Sequence, residues 1–187
     1  SRDGLPIPQV AGISLHSQYY PIKEAEQISR DFKVYDDSRT VVFGLGFGYH
    51  ILSLLKLSEV TVIEPLMSVF RAFMENIDLA PFYPGIRFRI AEKPATLLAR
   101  FETSKWNIFK HAPSIRIGES YYHQLEKGIS VRNFISNNSL KILVVKPIYG
   151  GSLPTANHCF DALKNLGHEV KSVDCDKFSE GFFSLKD

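Results

Sequence analysis

Three glycines and one carboxylate carry the chemistry that this sequence could do. The segment FGLGFGYH (43–50) sets Gly44, Gly46 and Gly48 between an apolar run, TVVFGLG (40–46), and a helical pattern. Glycines in that place permit a tight turn and close approach of the backbone to a ligand, and the free N–H groups of the following helix favour negative charge. Glu64 closes the next apolar run, VTVIEP (60–65). A carboxylate at such a strand end can accept hydrogen bonds from both hydroxyls of a ribose. The four residues together predict a nucleoside pocket. In the dinucleotide fingerprint G-x-G-x-x-G, the third glycine would fall on Tyr49, so the motif here is G-x-G-x-G. The plainer alternative is a tight strand-to-helix turn in a scaffold that holds nothing.

A second loop has similar chemistry. KILVVKP (141–147) runs into Gly150, Gly151 and Ser152, then into the helical pattern LPTANHCFDALKNLG (153–167) and a last strand, HEVKSVDC (168–175). A Gly-Gly turn before a helix lets a donor or acceptor reach the backbone. The alternative is that KILVVKP is simply a further strand of the first sheet. Metal chemistry has no sequence signal: Cys159 and Cys175 lack CxxC spacing, and no H-E-x-x-H is present. The two cysteines are expected to be a reduced, cytosolic pair. G-x-x-x-x-G-K-S/T and G-x-S-x-G are absent too. Arg87, Arg89, Lys93, Arg100, Lys105, Lys110 and Arg116 outnumber the acids around them and read as a solvated face before an anion patch. Tyr19, Tyr20, Tyr121 and Tyr122 read as packing residues.

Strands and helices must position these groups. PIKEAEQISRDF (21–32) starts with Pro and repeats apolar residues at helical spacing. YHILSLLK (49–56), LMSVFRAFMENI (66–77), KPATLLARF (93–101) and ESYYHQLEKGISVRNFISNN (119–138) are further predicted helices. IRFRI (86–90) suits an outer strand, and WNIFKHAPS (106–114) a strand that leaves through Pro113. Residues 1–20 read as irregular. The alternation predicts an α/β chain: a Rossmann-like, doubly wound, mostly parallel sheet with helices on both faces. Residues 1–139 would form one domain and 140–187 a βαβ unit. The 187 residues carry 22 basic and 20 acidic side chains, a net charge of +2, with no basic excess expected of a nucleic-acid binder. No apolar run approaches a membrane span and no signal peptide opens the chain, so a cytoplasmic protein is expected. Without an initiator Met the sequence is expected to be a piece of something longer.

The first segment resembles the class I S-adenosylmethionine-dependent methyltransferases, although Val42 stands where that family usually has an acid and HAPS (111–114) replaces an Asn/Asp-Pro-Pro-aromatic motif. LHSQYYPIKEA (15–25), FGLGFGYHI, VIEP and IFKHAPS together resemble the methyltransferase-like Rossmann domain of motility-associated-factor proteins, bacterial enzymes linked to flagellin glycosylation. That resemblance covers residues 12–125 and implies that His16, Ser17 and Glu24 sit near the glycine loop. Structural roles for His16 and His111 are the alternative. Residues 141–175 resemble the opening unit of CgeB-like (spore-maturation) GT-B glycosyltransferases, which implies that Gly150, Gly151 and Ser152 face donor or acceptor. The expected function is the N-terminal part of a bacterial glycosyltransferase-like protein, inactive by itself. A self-contained methyltransferase and a degenerate, partner-binding Rossmann scaffold are the alternatives. The implied small molecules are S-adenosylmethionine or a nucleotide-sugar, with a protein or glycan acceptor. An orphaned βαβ unit also implies a homodimer through residues 140–187.

Overall fold

The computed structural model describes residues 1–146 and 155–175. The chain divides into two compact units, Ser1–Val131 and Arg132–Asp187. The first is built on β3 (Arg39–Phe43), β4 (Val60–Glu64), β5 (Ile86–Ile90) and β6 (Trp106–Lys110), all parallel and ordered β5-β4-β3-β6. Helices flank this sheet, in a Rossmann-like α/β arrangement. Growth of the sheet reverses at β3, which pairs with β4 on one side and β6 on the other. The crevice beyond the strand ends at such a reversal is where open α/β sheets take their ligands.

Apolar runs form the middle of the sheet because successive side chains must serve opposite faces. Val42, Val60 and Val62 pack with Ile51 and Leu54 of α2 (Tyr49–Leu55) and with Val69 and Phe73 of α3 (Met67–Asn76). Val41, Phe43 and Ile63 pack with Leu97 of α4 (Pro94–Arg100) and with Tyr122, Leu125 and Ile129 of α6 (Glu119–Asn137). Each fully buried side chain such as Phe73 contributes about 1.5–3 kcal/mol. IRFRI lies at an edge of the sheet, as its sequence predicts, and Arg87 is its one exposed residue.

Two local features differ from the sequence reading. Residues 9–14 form a hairpin of β1 (Gln9–Val10) and β2 (Ile13–Ser14), where an irregular stretch is expected. Ala11 and Gly12 join the strands with φ of 48° and 78°, the pair of left-handed conformations that a two-residue turn requires. HAPS does not continue a strand: α5 (Ala112–Ile117) begins there, with Pro113 in the first turn, where its missing N–H costs nothing. α1 (Pro21–Ser29) opens on a proline for the same reason.

In the second unit, β7 (Lys141–Lys146) and β8 (Glu169–Asp174) pair in parallel, with α7 (Thr155–Asn165) between them in sequence. Gly167 follows α7 at φ 88°, the left-handed conformation in which helices commonly end. Among the described residues, β7 pairs with β8 alone. Leu143 and Val145 of β7 are 60% and 59% exposed, so its apolar run has one open face rather than two covered ones. Gly150, Gly151 and Ser152 lie outside the described residues. No helix among the described residues is long and apolar enough to cross a membrane.

Candidate functional site

The glycine loop sits at the reversal point, at the carboxyl end of β3. Gly44, Gly46 and Gly48 have φ of 98°, 51° and 76°, so all three use the conformational freedom that only glycine has cheaply. Closeness matters as much as conformation. A Cβ built on Gly46 would overlap His16 Nε2, and one on Gly44 would overlap Ser114. The backbone is thus bare for close approach, and what approaches it is the chain itself.

His16 arrives from the segment after β2 and is fully covered. Its Nε2 accepts the Phe47 N–H at 2.9 Å, which leaves the ring proton on Nδ1, facing Glu24 Oε2 at 4.0 Å. Glu24 also accepts the Ser17 N–H at 2.7 Å. The Ser17 hydroxyl accepts from the Tyr19 and Tyr20 N–H groups, where it shapes the entry to α1. The structure therefore brings His16 onto the loop, with Glu24 behind it. Ser17 is turned to its own neighbours.

Glu64, at the end of β4, is 2% exposed. Its Oε2 accepts the Leu45 N–H at 3.0 Å and its Oε1 the Leu66 N–H at 2.9 Å. Burial pushes its pKa up, and the two N–H donors work against that shift. Each carboxylate oxygen that could have met a ribose hydroxyl thus already binds the chain's own backbone.

Two more histidines complete the floor of the crevice. His50, in the first turn of α2, donates from Nε2 to the Gly44 carbonyl at 3.1 Å. His111, which precedes α5, takes the Ser114 hydroxyl on Nδ1 at 2.7 Å and has the Leu15 backbone as a further acceptor. The His50 and His111 rings stack with centroids 4.1 Å apart and planes 9° apart, and His16 lies 4.9 Å from His111. Burial lowers all three pKa values, with mutual repulsion adding to it at His16 and His111: His16 to about 2, His50 to about 4, and His111 well below its usual value. All three rings are neutral at physiological pH.

Sequence reasoning named Gly44, Gly46, Gly48, Glu64 and His16, and the structure brings these five together at the end of β3. That reasoning missed His50 as a member of the site and gave His111 no partner. The signal was available in principle, because residues following two neighbouring parallel strands meet at a reversal point. Two cavities of this unit lie away from the loop. A cavity of about 310 Å³ is lined by Phe70, Met74, Phe82 and Phe88 among others, and one of about 370 Å³ by Arg39, Ser58, Arg87 and Arg89 among others. Neither includes a residue of the glycine loop. No protein-family model, curated protein or solved structure matches this chain.

Proposed function

We propose that the first unit is a doubly wound Rossmann domain whose nucleoside crevice is closed by its own side chains, and that it serves as a non-catalytic scaffold of a larger glycosyltransferase-like protein. The observation that carries this reading is the His16 imidazole seated against Gly46, held there by the Phe47 N–H. A ligand that used the loop would have to displace a buried, hydrogen-bonded ring. Nor does the crevice offer an evident methyl-acceptor clamp: His111 and Ser114, the polar groups of HAPS, bond each other. Transfer chemistry, with a nucleotide-sugar donor and a protein or glycan acceptor, would then belong to the domain that β7, α7 and β8 begin, with Gly150, Gly151 and Ser152 facing donor or acceptor. A parallel pair with Leu143 and Val145 exposed has an apolar face that calls for another surface packed on it, which supports self-association through residues 140–187. A cytoplasmic setting fits the two free cysteines.

A second reading keeps the nucleoside site. It is favoured by the position of Glu64, an acid at the end of β4 one strand from the reversal point. In that case His16 and the segment carrying it would swing away to admit S-adenosylmethionine or a nucleotide. Calorimetry of the whole chain with S-adenosylhomocysteine and with a uridine diphosphate sugar at millimolar concentration separates the two readings. The scaffold reading predicts no heat of binding for either. Saturable binding that Gly46→Val abolishes overturns it in favour of the nucleoside site.

A further inference from the structure

The three histidines do more than fill space. One ring nitrogen from each lies within 4.8 Å of the others, and all three residues are buried. The groups behind the rings also have a common orientation. His16 turns its Nδ1, which has no hydrogen-bond partner, toward the Glu24 carboxylate 4.0 Å away, and His50 gives its Nε2 proton to the Gly44 carbonyl. His111 has the Leu15 backbone as acceptor beside its ring. A carboxylate or a backbone carbonyl behind each imidazole is the arrangement that fixes the tautomer of metal-ligating histidines and raises their basicity.

The lone pairs that remain are those of His16 Nε2, His50 Nδ1 and His111 Nδ1. One of them is unexplained. His50 is completely buried, and its Nδ1 has no hydrogen-bond partner. A buried acceptor without a donor costs about 1–3 kcal/mol and calls for a reason. We propose that His16, His50 and His111 form a binding site for a zinc-type transition-metal dication, held through these three nitrogens.

Imidazole suits zinc, copper and nickel, and three neutral rings present their lone pairs without first losing a proton. Tetrahedral coordination at about 2.0–2.1 Å sets ligand nitrogens about 3.3 Å apart, so the rings must close by up to roughly 1.5 Å. The stacked pair must also tilt out of parallel for its lone pairs to converge. His16 would exchange the Phe47 N–H for the ion, and His111 the Ser114 hydroxyl. His50 gives up nothing. The site is independent of whether the crevice also admits a nucleoside, and metal alone tests it.

The experiment is a titration of the whole chain, stripped with chelator and dialysed, with zinc or cobalt(II) alone. We expect one equivalent to bind, a rise in melting temperature, and tetrahedral ligand-field bands from cobalt. Long-range proton–nitrogen spectra of the unaltered chain should then move the ring nitrogens of His16, His50 and His111, leaving those of His123, His158 and His168 in place. His50→Gln should remove binding, and Glu24→Gln, half-exposed and able to keep the Ser17 bond, should weaken it roughly 10–100-fold. No binding at tens of micromolar metal overturns the proposal. So do shifts confined to the other three histidines, thiolate charge-transfer bands from Cys159 or Cys175, or a Glu24→Gln variant of unchanged affinity. The spectra of the unaltered chain decide the question even if His50→Gln does not fold.

Discussion

Replacing Gly46 with Ala separates a loop built for a ligand from one packed against its own chain. At φ 51° an alanine costs about 1–2 kcal/mol from backbone conformation alone. The new Cβ also overlaps His16 Nε2, so the imidazole must move and the Phe47 N–H loses its acceptor. A buried N–H left unmet costs about 1–3 kcal/mol, which brings the total to about 2–5 kcal/mol. Gly12→Ala is the control, because Gly12 sits at φ 78° with nothing within 4 Å of the added carbon, and only the conformational cost applies. Urea unfolding followed by the fluorescence of Trp106, the one tryptophan of the chain and part of β6, reports on the first unit alone. Combining Gly46→Ala with His16→Ala should reduce the added cost of Gly46→Ala to that of the control, a non-additivity expected of residues in contact. If Gly46→Ala costs no more than Gly12→Ala, His16 does not close the loop and the reasoning fails.

Other consequences are simpler. Glu64→Gln keeps the shape but faces one of the Leu45 and Leu66 N–H groups with an amide, and should cost about 1–3 kcal/mol by urea unfolding without added ligand. Tyr122, buried with its hydroxyl on the Ile63 carbonyl, has its pKa raised by burial. Its folded value exceeds its unfolded value near 10, so its contribution is intact below pH 10 and is lost as pH rises, by about 1.4 kcal/mol at pH 11. Tyr121, pushed up to about 12 by burial and by Glu92, acts in the same direction, and tyrosinate absorbance should rise together with unfolding. Sedimentation equilibrium should reveal self-association of the chain that Leu143→Lys with Val145→Lys removes, whereas an unaltered chain that is monomeric at all concentrations contradicts the pairing through residues 140–187.

The sheet was legible because Val41-Val42-Phe43 and Val62-Ile63 are apolar at consecutive positions, the pattern of strands covered on both faces. The hairpin at residues 9–14 was not, since two-residue strands carry no periodicity and Ala11 gives no hint of a left-handed φ. Pro113 suits the end of a strand, but it is equally at home in the first turn of a helix, where the structure has it. At the site, residue type and spacing located the glycine loop and Glu64 but could not identify their partners. The Leu45 and Leu66 N–H groups take the place foreseen for ribose hydroxyls, because a backbone donor leaves no mark in a sequence. The three histidines come from distant segments and meet only through the order of the strands, which periodicity does not reveal.

Hydrogen exchange at the Leu45 and Phe47 amides tests most directly whether the crevice is closed. These two N–H groups are bound to the side chains of Glu64 and His16, so a closed crevice predicts exchange as slow as that of the central strands β3 and β4, requiring unfolding of the unit. Exchange within minutes at neutral pH, while β3 and β4 stay protected, would mean that His16 leaves the loop in the folded protein, and would contradict the closed crevice.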